Sequence, residues 1–197
     1  WQDHSIQDAQ LLDAARRLQP WIVGDHDSNK AFQPYVSEIS LAARYFLKSL
    51  SQVLQQGVML FIDYGFGRSE YYHAQRNHGT LMCHYRHHAH DDPFYLPGLQ
   101  DITSHVDFSA FVDAANSNGL DLIGYTTQAH FLMNCGITEV LIQSASPGSV
   151  NYLSQANQLQ KLVSPAEMGE LFKVIALGKR ISESLIGFHR GDRSRLL

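Results

Sequence analysis

Apolar residues along the chain change their spacing several times, and each spacing predicts an element. From Ser5 to Leu18, Leu11, Leu12, Ala15 and Leu18 fall on one face of a helix, and Pro20 is expected to end it. Gly24 to Lys30 reads as a polar loop. From Val36 to Gln55, Ile39, Ala43, Phe46, Leu47, Leu50 and Leu54 recur at three- and four-residue steps, predicting a long amphipathic helix closed by Gly57. Val58 to Ile62 is continuously apolar, the pattern of an interior parallel strand buried on both faces. Asp63-Tyr64-Gly65-Phe66-Gly67 follows and is expected just beyond that strand, where open α/β sheets bind ligands. Residues 68–106 show little periodicity and form an irregular, functional loop region, with one short strand expected at Thr80 to Tyr85. Asp107 is placed to cap a helix from Phe108 to Asn116. Beyond it come a strand at Leu120 to Thr126, helices at Gln128 to Asn134, Ile137 to Gln143 and Asn151 to Leu162, a strand at Leu171 to Leu177, and a polar tail from Arg190. The expected class is a single α/β unit, with strands near 58–62, 120–126 and 171–177 and flanking helices.

Composition narrows the function classes. Of 197 residues, 44% are hydrophobic and 17% charged, a globular balance that excludes extended disorder. Two cysteines exclude a disulfide scaffold, and no apolar run approaches a membrane helix. With no export pattern, the lone cysteines point to the cytoplasm. The net charge of −4 hides an uneven distribution: residues 87–160 hold seven acidic side chains and no Lys or Arg. There is no basic stripe for nucleic acid, whereas an acidic middle suits a cationic substrate or a basic protein partner. Seven of the 11 histidines lie between His73 and His105. The string from His84 to Asp92 lacks the fixed spacing of a metal motif, so no metal is expected. Three strands make a narrow sheet for this many helices, and the chain opens on Trp1; both lead to the expectation that part of the protein lies upstream.

Three blocks then carry a resemblance. They are Ser37-Glu38-Ile39 with Gly57 to Gly65; Gly79-Thr80-Leu81 with His90 to Pro93, Pro97-Gly98 and Gln100 to Phe108; and Gln128 with Phe131-Leu132 and Ser164 to Lys173. From about Ser37 to Lys179 the chain resembles the carboxy-terminal half of the MidA-type S-adenosylmethionine-dependent methyltransferases. That family includes a mitochondrial assembly factor that methylates arginine, and its members are about twice this length. The resemblance implies a class I, Rossmann-like sheet with a reversed hairpin at one edge: 58–62 as fifth strand, 120–126 as sixth, 171–177 as antiparallel seventh. It also implies S-adenosylmethionine as cofactor and a protein substrate with a cationic target side chain. The Gly-rich turn that cradles this cofactor has no match here, so the cofactor residues are expected upstream of Trp1, and weak or no binding is expected from this chain alone.

Within these blocks, extended backbone over 102–106 would put Asp101, His105 and Asp107 on one face, where carboxylates hold a guanidinium and a histidine takes its proton. These three are the catalytic candidates. Asp63, Tyr64, Gly65, His90 and Gln128 are the candidates for substrate binding. Two further partners are expected: the missing amino-terminal half, and a second copy through an exposed strand edge. The competing expectation is a non-catalytic binding or assembly module whose acidic surface recruits a basic protein.

Overall fold

The computed structural model describes residues 2–22 and 34–197. The polar loop expected at Gly24 to Lys30 lies outside the described residues.

Helix α1 spans Ala9–Ile22 and starts where Asp8 Oδ1 accepts the backbone N–H groups of Gln10 and Leu11. It runs through Pro20 rather than stopping there. The reason is apolar contact beyond the proline: Leu18 and Ile22 pack with Tyr71 and Tyr72, which holds the last turn. Helix α2 spans Leu41–Val53, beginning later than the apolar spacing predicts. Ser40 caps it by accepting from Ala43 N, and the residues just before it are drawn off the helix axis by contacts of Glu38 described below.

Strand β1 spans Gly57–Phe66, so Asp63, Tyr64 and Gly65 lie inside the strand instead of in a turn after it. The region expected to be irregular carries helix α3 (Arg68–Tyr71) and strands β2 (Met82–Tyr85), β3 (His88–His90), β4 (Asp101–Thr103) and β5 (Val106–Asp107). Helix α4 (Phe108–Asn116) and its Asp107 cap stand where expected. Strand β6 (Asp121–Thr127), helices α5 (Gln128–Asn134), α6 (Ile137–Ser144), α7 (Val150–Val163) and α8 (Met168–Leu171), and strand β7 (Phe172–Lys179) complete the order. The expected polar tail is packed: Arg193 pairs with Glu170, and Leu197 joins the core.

The main sheet has the order β5-β1-β7-β6. β7 runs antiparallel to both neighbours, so β1 and β6 point the same way with a reversed strand between them. This is the reversed edge hairpin that the resemblance implies. Side chains of directly paired residues share a face. Met59 and Phe61 of β1 stand beside Leu177 and Ile175 of β7, and this face packs on Leu47, Phe108 and Phe111 of α2 and α4. On the other face, Val174 and Ala176 are covered by Phe188 and Phe131, but their β1 neighbours are not. Val58, Leu60 and Ile62 remain 37%, 45% and 50% exposed, so the strand expected to be buried on both faces is buried on one. β5 meets β1 in parallel only at Gly65 and Phe66, which leaves the edge from Gly57 to Tyr64 without a neighbour among the described residues. A second sheet, β3-β2-β4, stands apart from the first.

Candidate functional site

The carboxyl end of β1 is where the inserted segment 67–107 returns to the main sheet. Gly65 allows that return: a Cβ there would press on the Val106 carbonyl oxygen and lie 2.8 Å from Val106 N and 2.9 Å from Phe108 Cε2. Phe66 and Tyr64 flank the residue that precedes the junction. The His105 ring stacks on Phe66 at 5.0 Å and 10°, and lies 5.6 Å from Tyr64. Tyr64 in turn meets Phe172 edge-on at 5.0 Å. The guanidinium of Arg76 sits 4.3 Å from the centre of the Phe66 ring, and Lys173 Nζ 5.7 Å from it.

Two spaces open around this stack. His105 lines a cavity of about 120 Å³ with Glu38, Arg44, Tyr71, Tyr72 and Asp107. Phe66 lines an open groove of about 430 Å³ with Glu70, Glu167, Glu170, Lys173 and Arg193. Glu170 holds Arg193 through both carboxylate oxygens, at 3.0 and 3.1 Å. Lys173, 7% exposed, donates to the Glu170 carbonyl oxygen, and burial lowers its pKa from the ordinary lysine value.

Burial, and then the charge of Arg76, hold His105 below its ordinary value; Glu38 and Asp63 act the other way. The ring is therefore neutral near pH 7. Burial raises Asp107, while the Ala110 N–H that it caps and the Arg68 and Arg44 cations pull it back. Tyr71 is pushed up to about 12 by burial, so it stays a hydroxyl donor.

The structure brings together His105, Asp107, Tyr64 and Gly65. Asp63 stays at the exposed end, its Oδ1 accepting from Tyr64 N and its backbone paired with Lys173. Asp101 is separated from His105 because the strand breaks: β4 pairs with β2, whereas β5 pairs with β1. Asp101 is exposed and lines neither space. His90 lies on the small sheet against Tyr95 at 5.3 Å, with Nδ1 accepting from Asp92 N. Gln128 is buried and spends its amide on the Leu162 carbonyl, fastening α7 rather than facing the groove.

The histidine string forms a tight hairpin at Arg86 and His87, both at positive φ. His84 pairs with Ala89, while His88 and His90 pair with Tyr85 and Cys83, which puts His84 on the opposite face from the other two. Among the described residues, no group of three or more His, Cys, Asp or Glu side chains is gathered as a metal would need.

Sequence reasoning missed Glu70, Glu170 and Lys173 as parts of this site. For Lys173 a signal existed: it is the one charge inside the otherwise apolar run Leu171 to Leu177.

The residues present do not fit a cradle for the methionine and ribose of S-adenosylmethionine. The space beside Gly65 is filled by Val106 and that beside Gly124 by Phe188, and Gly119 leads from a helix into a strand. Gly67 does join β1 to α3, but a Cβ there would lie 2.5 Å from the Leu196 carbonyl oxygen, so among the described residues none of these glycines leaves the open strand-turn-helix loop that such a ligand needs.

Comparison with known proteins agrees with this geometry. A family model described as "Putative S-adenosyl-L-methionine-dependent methyltransferase" matches residues 3–126. The chain is 32% identical over 124 residues to the mitochondrial protein arginine methyltransferase NDUFAF7 of Danio rerio, covering 61% of this chain and 27% of that protein. It is 32% identical over 145 residues to the Rattus norvegicus protein of the same name, covering 71% and 31%. Among solved structures it is similar to a COG1565 superfamily member from Burkholderia thailandensis, described as a "likely methyl transferase" and bound to S-adenosyl-homocysteine. That similarity has a TM-score of 0.87 and 49% identity, over 100% of this chain and 48% of the other. A native structure of a COG1565 superfamily protein from the same organism gives 0.84 and 49%, over 98% and 50%. The chain thus spans about half the length of these structures and under a third of the curated relatives. With well over half of its residues inside the family match, the chain belongs to the S-adenosyl-L-methionine-dependent methyltransferase family.

Proposed function

We propose that the intact protein transfers a methyl group from S-adenosylmethionine to an arginine of a protein substrate, and that this chain supplies the acceptor side of the cleft. The observation that carries the reading is the groove beside Phe66. It combines the Phe66 ring with the carboxylates of Glu70 and Glu167, Glu170 being held by Arg193, and the guanidinium of Arg76 over that ring is an example of the contact. Planar guanidinium groups are held by carboxylates and aromatic faces together. The names of the NDUFAF7 relatives support the same substrate.

When a guanidinium nitrogen gains a methyl group it must lose a proton. We assign that proton to His105, neutral and stacked on Phe66, whose ring lines the groove while His105 itself lines the smaller cavity. Asp107 holds the start of α4 behind His105, Tyr64 lies against the His105 ring, and the Asp63 charge acts on it. Asp101, His90 and Gln128 have no part in this reading. The cofactor pocket belongs to the upstream half. The unpaired thiols of Cys83 and Cys135 support a reducing compartment such as the cytoplasm, and among the described residues no helix is long and apolar enough to cross a membrane.

The test uses the protein extended upstream to the length of its solved relatives. It is incubated with methyl-tritiated S-adenosylmethionine and a cell extract, and the labelled proteins are hydrolysed for amino-acid analysis. Label in methylarginine is expected. Label confined to lysine, histidine or a carboxyl ester would overturn the arginine assignment.

A further inference from the structure

Glu38 is the most densely bonded carboxylate in the described structure, and the mechanism above does not use it. It precedes α2, yet its partners lie 33 to 43 residues away, on the inserted segment. The Thr80 backbone N–H donates to both carboxylate oxygens at 3.0 Å, and the Leu81 N–H donates to Oε1 at 2.9 Å. The Thr80 hydroxyl donates to Oε2 at 3.2 Å, and the Tyr71 hydroxyl lies 3.3 Å from the same oxygen. Gly79 (φ +74°) makes room: a Cβ there would lie 2.9 Å from Glu38 Cδ and 3.0 Å from Oε2.

These bonds decide what Glu38 can do. An ionised carboxylate has about four lone-pair sites, and here they face three donors and a fourth hydroxyl, all from the protein. None is left for a substrate guanidinium. The same groups continue to His105. Thr80 Oγ1, donating to Glu38, accepts from the His105 backbone N–H at 3.0 Å, and the Tyr71 hydroxyl lies 3.2 Å from the His105 carbonyl oxygen. The His105 N–H is therefore held by the cluster that Glu38 organises, and its carbonyl oxygen shares the single Tyr71 proton with Glu38. The ring this backbone carries is the one stacked on Phe66.

We infer that Glu38 is a positioning residue: through Thr80 and Tyr71 it fixes the His105 backbone, and so sets the ring against Phe66 and Tyr64 at the acceptor site. The inference rests on the arginine-methylation reading for its consequence in catalysis, but the positioning is measurable without activity. Replacing Glu38 by Gln keeps the size, removes the charge, and puts an NH₂ where a second acceptor stood: with the amide oxygen at the Oε1 place still accepting from the Thr80 and Leu81 N–H groups, the NH₂ takes the Oε2 place and meets the Thr80 and Tyr71 hydroxyls that donate there.

The test is NMR on this chain, labelled at histidine and at the backbone amides, with three variants: Glu38→Gln, Thr80→Val and Thr80→Ser. In Glu38→Gln the amide hydrogen of His105 should exchange at least about tenfold faster, with Leu81 less affected because the amide oxygen still accepts from it. The His105 ring protons should lose the upfield shift given by Phe66, and the ring should titrate nearer an ordinary histidine. Thr80→Val, which removes only the hydroxyl between Glu38 and His105, should reproduce the His105 changes with Leu81 still protected, and Thr80→Ser should behave as the parent. Glu170→Gln, which loosens Arg193 instead, should leave His105 unchanged. The titration is read with Arg76, Asp63 and Lys173 intact, since these are the other charges that face the ring. If Glu38→Gln fails to fold, Thr80→Val decides alone. An unchanged His105 shift and titration in Thr80→Val and in any folded Glu38→Gln overturns the inference. In the upstream-extended enzyme, Thr80→Val should lower kcat with little change in KM and shift the acid limb of the pH profile, and Thr80→Ser should restore both. Failure of methylation in every protein, with the NMR changes present, would count against the functional reading and leave the positioning intact.

Discussion

Substituting Gly65 by Ala separates a packing requirement from a dihedral one. Gly65 lacks a positive φ, so the backbone there suits any residue and the cost must come from contact. The added methyl would overlap the Val106 carbonyl oxygen and crowd Val106 N and Phe108 Cε2, and two of those three atoms are backbone, which cannot rotate away. Overpacking of this kind costs about 1–3 kcal/mol. The parallel bridge at Gly65 and Phe66 would also open, with backbone hydrogen bonds worth about 1 kcal/mol each. The sum, about 3–5 kcal/mol, is a large part of the roughly 5–15 kcal/mol that holds a domain together. Gly98 is the control. It sits at φ +83° with nothing within 4 Å of its missing Cβ, so Ala there pays only for the left-handed backbone, about 1–2 kcal/mol. Urea unfolding followed by circular dichroism, with a shared m value, measures both. Gly65→Ala should be the more damaging by at least about 1 kcal/mol, and its His105 ring should lose the Phe66 stack. Equal losses, or a larger loss at Gly98, would refute the close approach of β5 to β1.

His105 predicts a pH dependence. Its folded pKa is lowered by burial, so the unfolded chain takes up the proton first, near pH 6.5. The stability contributed by the neutral ring is then present above about pH 6.5 and lost as pH falls toward the folded pKa. His105→Gln should flatten that part of a urea-midpoint profile between pH 5 and 7, and an unchanged slope would count against the burial of the ring. Asp107→Ala removes the cap of α4 and should cost about 1 kcal/mol, whereas exposed Asp101→Ala should stay within about 0.5 kcal/mol; the reverse order in thermal unfolding would contradict their placement. Leu60 and Ile62 present an open apolar face next to an unpaired edge, so replacing both with Thr should weaken concentration-dependent self-association in sedimentation equilibrium. An unaltered association constant would mean that this face is not the contact.

The residues carried the class and several boundaries, and the resemblance to a known family implied the reversed edge hairpin. Asp107 as cap and the extent of α4 and α5 were readable because local chemistry fixes them. Pro20 misled because a tertiary contact, Ile22 against the tyrosine pair, outweighs a local helix breaker. The row Asp101–His105–Asp107 failed as a row because alternation assumes one continuous strand, and the backbone changes sheets between Thr103 and Val106. Glu38 was visible within a resembling block, but its partners are some 40 residues away and no spacing rule reaches them. The irregular look of 68–106 has the same origin: strands of two to four residues are too short to show a period.

The central claim is that this chain supplies the acceptor side of a methyltransferase whose cofactor pocket lies upstream. Calorimetric titration of S-adenosyl-homocysteine into two proteins, this chain and the chain extended upstream to the length of its solved relatives, tests it most directly. The chain alone should give no measurable heat of binding, and the extended protein should bind at micromolar concentration. Micromolar binding by the chain alone, or none by the extended protein, would contradict it.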